Sequence, residues 1–392
     1  MKKIFLLFII VYLSFAQTSL RTKFGENTPL EHMFGELRVG YVYQDNSSEI
    51  DKKALGAGGH IHFVTKNFYN FNLGLSFYTA NDFGFNPKDY KVDDDFLGAT
   101  KKSGTFVSEA YLKYSLKDLT FKAGRMMIDT PHADSDDIAM IPNYFEGVYL
   151  KKEFENFKIS FAKLNKMAGY GNGVDAYKFV DLSEVIGVQK TDGMAFVGIE
   201  SQEYDIDFSI WLYRIFDVAD DIYISVGKGF SFDDIDFNIA LEFDRAVDSK
   251  KSLMGDIDTK TFGFITEFLI KDFTIIGAYN KEFGSTGSLF SFGGGPFFTS
   301  MEVQTIDTVE SKDAKSYLIG AEYALSEDFN IGIARGEFKD NGDYHAIEND
   351  IYFEATIFKD ISLEVVAAFI DDKKGDDDFN RFKIFFKKSF GR

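Results

Sequence analysis

The residues of this chain whose types and spacing could do chemistry are concentrated in one stretch, MIDTPHADSDDIAMIPNYFEG at 127–147. It holds Asp129, Asp134, Asp136 and Asp137 with His132 among them, and Pro131 and Pro142 limit its backbone freedom. Carboxylates clustered in a narrow passage attract cations and repel anions. Arginines on a facing surface would oppose them, and Arg38, Arg335 and Arg381 are the candidates. Alternation puts Arg38 and Arg381 on the polar rows of their segments, whereas Arg335 shares the row of Ile331 and Ile333. The competing reading of 127–147 is an ordinary hydrophilic outer loop. Its apolar members Ile138, Met140 and Ile141 favour a packed loop folded inward.

That chemistry is passage rather than catalysis. The chain has no cysteine, which excludes disulfides, thiolate metal sites and thiol nucleophiles. His32, His60, His62, His132 and His345 are scattered and make no metal motif, and no Ser–His–Asp grouping can be assembled. No enzyme activity and no cofactor are expected. Asp93, Asp94 and Asp95, and again Asp376, Asp377 and Asp378, are candidate calcium ligands, with hydrated loop tips as the competing reading. The Gly293–Gly295 run lacks the Lys-Ser/Thr of a phosphate loop and more simply lets a large loop fold back.

The elements that must position these residues are strands. Stretches such as FNLGLSFYTA, IDFNIALEFD and RFKIFFKKSF alternate apolar and polar residues. Eighteen such stretches run from 33–46 through 56–66, 119–129 and 348–358 to 379–390. Their connections alternate, short then long, with the connection near Val218 to Asp220 the one short member of the long set. Lys117-Asp118 and Lys271-Asp272 are among the short ones; 82–104, 130–143, 168–191 and 284–313 are among the long ones. An up-and-down antiparallel barrel puts every short turn at one end and every long loop at the other, the asymmetry of outer-membrane barrels. The fold expected is therefore all-β, an 18-stranded antiparallel transmembrane barrel with short periplasmic turns, long outer loops and an inward-folded third loop. The alternation falters at Arg125, which shares parity with Phe121 and Ala123, and at Arg214, on the row of Ile210 and Leu212. A bulge or a position at the polar rim would explain either one.

Residues 1–16 read as an export signal, with Lys2 and Lys3 before an apolar run and a small-x-small end at Ser14-Phe15-Ala16. Residues 17–392 then form one barrel domain. Acidic residues outnumber basic ones 62 to 43, a balance that argues against a nucleic-acid partner. Forty-five phenylalanines and twenty tyrosines suit strands and the aromatic girdles of a membrane barrel.

FGELRVGYVYQDN at 34–46, GGHIHFVTKNFYNFNLGLSFYTAND at 58–82, AGRMMIDTPHADSDDIAMIPNYFEG at 123–147 and AKLNKMAG at 162–169 resemble the OprD-like outer-membrane porins, in the branch found in Campylobacter-like, epsilonproteobacterial organisms. The resemblance implies a passive channel in the outer membrane of a Gram-negative bacterium, commonly a homotrimer. It also implies an acidic third loop facing a basic wall, and adds Arg125 to the loop aspartates as a constriction residue. Two departures stand out: arginines are few, and the chain ends Ser-Phe-Gly-Arg rather than on an aromatic residue. The expected partners are outer-membrane lipid and lipopolysaccharide, small hydrophilic solutes and further copies of the chain. The function expected is passive diffusion of ions and small solutes with a preference for cations or zwitterions. The alternative is an adhesive or structural barrel binding through its loops at 168–191 and 284–313.

Overall fold

The computed structural model describes residues 28–391 apart from 234, 359, 360 and 376; the export signal expected at 1–16 lies outside them. The wall begins with β1 (Leu30–Asn46), β2 (Lys52–Thr65), β3 (Phe71–Asn81), β4 (Gly104–Leu116), β5 (Leu119–Met126) and β6 (Tyr144–Glu153). It continues with β7 (Phe157–Ala168), β8 (Met194–Glu203), β9 (Ile206–Ile215), β10 (Ala219–Phe232), β11 (Ile235–Asp248) and β12 (Thr259–Ile270). The circuit is completed by β13 (Phe273–Gly284), β14 (Lys315–Ser326), β15 (Phe329–Lys339), β16 (His345–Ile357), β17 (Ile361–Asp372) and β18 (Phe379–Gly391). Each strand is antiparallel to its neighbours in the chain, and β18 returns to pair with β1 from Phe34 opposite Gly391 to Asn46 opposite Phe379. The barrel is closed. Among the described residues no helix is long and apolar enough to cross a membrane.

The period-two pattern sorts side chains as the pleat requires. On β11, Leu241 and Phe243 are exposed on the outer surface, while Glu242 and Asp244 are buried on the inner one. Short turns join the strands at one end. Tyr204 and Asp205, between β8 and β9, both adopt positive φ, as do Tyr69 and Asn70 between β2 and β3. Paired positive φ values in a two-residue connection match the right-handed twist of a hairpin. Phe68, Tyr69, Phe154, Tyr204, Phe273 and Phe358, all exposed, crowd this same end. They form one aromatic girdle.

Four strand limits differ by three residues or more from those expected, the first being β1, which starts at Leu30 rather than 33. β2 and β16 start earlier, at Lys52 and His345, because their outer ends pair on across short loops. β5 stops at Met126 rather than 129, since the chain turns into the lumen there and buries Met126 and Ile128. Arg214 needs no bulge. β9 keeps its register with β10 throughout, and the exposed guanidinium pairs with Asp220 at the loop end of the strand, 2.5 Å away.

The interior is filled from the loops. Val92, Phe96 and Leu97 of the second long loop and Met140 and Ile141 of the third join Tyr78, Phe106 and Phe385 of the wall in one buried cluster. Ile128, Ala133, Leu182, Leu289 and Phe292 from three loops join Phe196 and Trp211 in another. A third gathers Phe297, Ile306 and Val309 against Phe338. The barrel thus carries its core inside, between loops and wall.

The outward face is a lipid face, so Leu241→Arg, at the middle of β11, should destabilise the barrel by about 2–4 kcal/mol. Ala240→Ser, one residue earlier and facing the lumen, should change stability little. Denaturant titration of the protein folded into lipid vesicles measures both.

Candidate functional site

Between Met126 and Tyr144 the third long loop leaves the wall and enters the lumen. Asp129–Thr130 and Ala133–Asp134 form a two-residue hairpin within it. Ile128 and Ala133 are buried against the β8–β10 side of the barrel, Met140 and Ile141 against the β1–β4 side. Fully burying a side chain such as Met140 or Ile141 is worth roughly 1.5–3 kcal/mol, so the loop is held mainly by packing.

Charge then fixes its position. The guanidinium of Arg38, on the inner row of β1, donates from all five of its N–H groups. Nη1 and Nη2 reach the two carboxylate oxygens of Asp137 at 2.6 and 2.7 Å. Nε and Nη2 reach Glu36 at 2.8 and 2.6 Å, and Nη1 reaches the Ala139 carbonyl at 3.0 Å. Inner-row cations of β18 line up beside it. Lys387, directly opposite Arg38 in the ladder, lies 2.8 Å from Glu364 and 4.0 Å from Asp137. Lys383 lies 2.5 Å from Glu302 and donates to the Ile138 carbonyl at 3.2 Å. Arg381 holds Asp93 of the second long loop at 2.8 Å.

The opposite end of the loop is anchored by His132. Its Nε2 lies 3.0 Å from Asp244 on β11 and 3.7 Å from Asp221 on β10, and its Nδ1 lies 2.8 Å from the Ser291 hydroxyl. Burial disfavours the imidazolium, but the carboxylates of Asp244 and Asp221 outweigh it and raise the His132 pKa to about 9. Asp136 accepts from the Tyr170 hydroxyl. Burial lifts both Asp136 and Asp134 above the usual carboxylate range. The seventh long loop, 285–314, meets the third inside the lumen. Asp134 N–H donates to the Phe292 carbonyl at 2.8 Å, and Phe292 N–H donates to the His132 carbonyl at 3.0 Å. Gly293 permits this approach: its φ is +128°, and a Cβ there would stand 2.4 Å from the Asp134 carbonyl oxygen.

Not every sequence-selected residue joins this group. Arg335 stands on the outer row with exposed Ile331 and Ile333 and donates to Asn349 at 2.6 Å, so it does not line the lumen. Arg125 pairs in register with Ala110, on the row of outward-facing Leu112. Its guanidinium bonds Glu146 at 2.8 Å and lies 4.4 Å from the centre of the Phe179 ring. His132 is buried as an anchor rather than exposed to the channel, and Asp129 is exposed. Asp93, Asp94 and Asp95 do not converge on one point: Asp93 serves Arg381 and the backbone N–H groups of Asp95 and Phe96, while Asp94 takes Lys52 and Lys101. Asp377 approaches Ser48 and Asp378 accepts from the Asp372 N–H; Asp376 lies outside the described residues. Sequence reasoning missed Lys383, Lys387, Glu302, Asp221 and Asp244. Parity with Arg381 was the available signal for the two lysines; the carboxylates meet their partners only through folding.

Comparison with known proteins gives a consistent result. The family described as "outer membrane porin, OprD family" matches residues 98–387. No curated protein sequence matches the chain. Among solved structures, Pseudomonas aeruginosa OccK9 (OpdG) superposes with a TM-score of 0.80 at 13% identity, covering 92% of this chain and 98% of that one. Acinetobacter baumannii OccAB4 gives 0.79 at 15% identity over 92% and 98% of the two chains. A BenF-like porin from Pseudomonas fluorescens Pf-5 gives 0.80 at 12% identity over 93% and 100%. At these identities the likeness shows the fold, a closed 18-strand barrel.

The contact between the third and seventh loops should depend on Gly293. Gly293→Ala should separate them and give larger, noisier single-channel conductance. Gly294→Ala, whose Cβ would have the Asp136 carboxyl group as its nearest contact at 3.2–3.4 Å, should stay closer to the parent.

Proposed function

Because the chain belongs to the OprD family of outer membrane porins, we propose that its channel for small solutes prefers cations and zwitterions. The observation that carries this reading is which charges at the narrowing remain uncovered. Arg38 has every N–H donor engaged within the protein, and its side chain is 2% exposed. Lys387 and Lys383 are 13% and 10% exposed and are paired with Glu364 and Glu302. Asp137 and Glu364, by contrast, remain 40% and 35% exposed. A solute entering here meets carboxylate oxygens before it meets ammonium or guanidinium groups. In a constriction with low-dielectric walls such a bias is focused rather than screened.

Solutes carrying an ammonium or guanidinium group fit this surface, with passage by diffusion. The adhesive alternative requires the loops at 168–191 and 284–313 to be free at the surface. Leu182 of the first and Phe292, Phe297 and Ile306 of the second are buried, so nothing in their packing favours it.

Reversal potentials in a potassium chloride gradient test the proposal. The parent should favour potassium over chloride. Asp137→Asn should lower that preference, since it removes a carboxylate and frees Arg38. Lys387→Gln should raise it by uncovering Glu364. Anion preference in the parent, or changes of the same sign in both variants, would overturn the proposal.

A further inference from the structure

At the end of the third loop remote from Arg38, three side chains from three elements converge: His132 from the loop, Asp221 from β10 and Asp244 from β11. One ligand atom from each lies within 4.8 Å of the other two. All three residues are more than nine-tenths buried. Yet among the described residues neither carboxylate oxygen of Asp221, nor Oδ2 of Asp244, has a hydrogen-bond partner. Buried carboxylate oxygens without partners are costly and call for a cation. A protonated His132 leaves the cluster one negative charge in excess, and it donates through Nε2 to Asp244 alone. A divalent ion with neutral imidazole brings the group to zero and can bind both carboxylates.

We propose that His132, Asp221 and Asp244 form a site for a borderline divalent transition-metal ion of the Zn²⁺ class, which staples the third loop to the barrel wall. The spacing fits. With metal–ligand bonds of about 2.0–2.2 Å, the edges of a tetrahedral ligand set are roughly 3.3–3.6 Å long. Nε2 stands 3.0 and 3.7 Å from the two aspartate oxygens, on either side of that value. The contact of Nδ1 with the Ser291 hydroxyl at 2.8 Å provides the outer-shell bond that orients a ligating imidazole and leaves the Nε2 lone pair for the metal. One imidazole with two carboxylates suits zinc-like ions, whereas calcium and magnesium take all-oxygen sets with more ligands.

The test needs no channel recording, so its outcome is independent of ion preference. Full-length protein purified in detergent and stripped with a chelator is titrated with Zn²⁺ at neutral pH by calorimetry, and the retained metal is counted by mass spectrometry after desalting. The parent should retain one Zn²⁺ per chain, undisplaced by excess Ca²⁺. Asp221→Asn, which keeps the His132–Asp244 contact, should lose it. Substoichiometric uptake by the parent, or equal uptake by the variant, overturns the proposal. Should the variant not fold, Co²⁺ on the parent decides: four-coordinate visible bands that Zn²⁺ abolishes are expected, and their absence overturns the proposal equally.

Discussion

The ladder between β1 and β18 is the contact on which the rest of the molecule depends. In hydrocarbon an unpaired peptide group costs several kcal/mol, so a sheet can lie there only if its first and last strands find each other. Thirteen residue pairs, Phe34 with Gly391 through Asn46 with Phe379, make that closure. Once the sheet is closed, each strand has one face in lipid and one in the lumen, and the alternating sequence has only one way to satisfy both. Closure at this strand number also makes a tube too wide for wall side chains to fill. The buried clusters built from loop residues answer that geometry.

The same seam determines where the third loop docks. Arg38 and Lys387 are direct cross-strand partners on the inner face. Like charges placed opposite each other destabilise a ladder unless counter-charges reach both. Glu36 and Glu364 supply part of this from the wall, and Asp137 lies within reach of both cations. The closing seam is therefore a basic stripe that recruits an acidic loop. The seventh loop is drawn in by backbone pairing at Phe292 and by the Lys383–Glu302 ion pair. Neither loop is an independent plug; each completes hydrogen bonds that the other leaves open.

The wall was legible in the sequence because a period of two in a one-sided environment leaves little choice of face. The rows of Arg38 and Arg381 fall inward by parity alone, and parity likewise sets Arg335 beside Ile331 and Ile333. Charge type alone points Arg335 to the lumen, and the structure follows parity instead. Arg125 entered through family likeness rather than through its row. The loop interior was less legible. Asp137 meets Arg38 across 99 residues and His132 meets Asp244 across 112, pairings that no local pattern encodes. The inward fold of 127–147 could be expected from Ile138, Met140 and Ile141, but not which wall would receive each end. The glycine run near Gly293 signalled a loop folding back without naming Asp134 as the backbone it must approach.

Net charge does not settle what a channel admits; the charges left uncovered do. A guanidinium has five donors and no acceptor, so one whose five N–H groups are all engaged offers a passing anion nothing that is not already committed. A carboxylate oxygen has two lone pairs and can accept from the wall on one side and from a solute on the other. Asp137 is in that second position: each of its oxygens accepts from Arg38, and part of its surface still faces the lumen. The bidentate pair thus acts asymmetrically. It fixes the loop with the cation and leaves the anion the more exposed of the two. A lysine in place of Arg38 would offer a point charge without the planar fork. It could not hold both oxygens of Asp137 while also reaching Glu36 and the Ala139 carbonyl, so the seat of this end of the loop against β1 depends on that side chain.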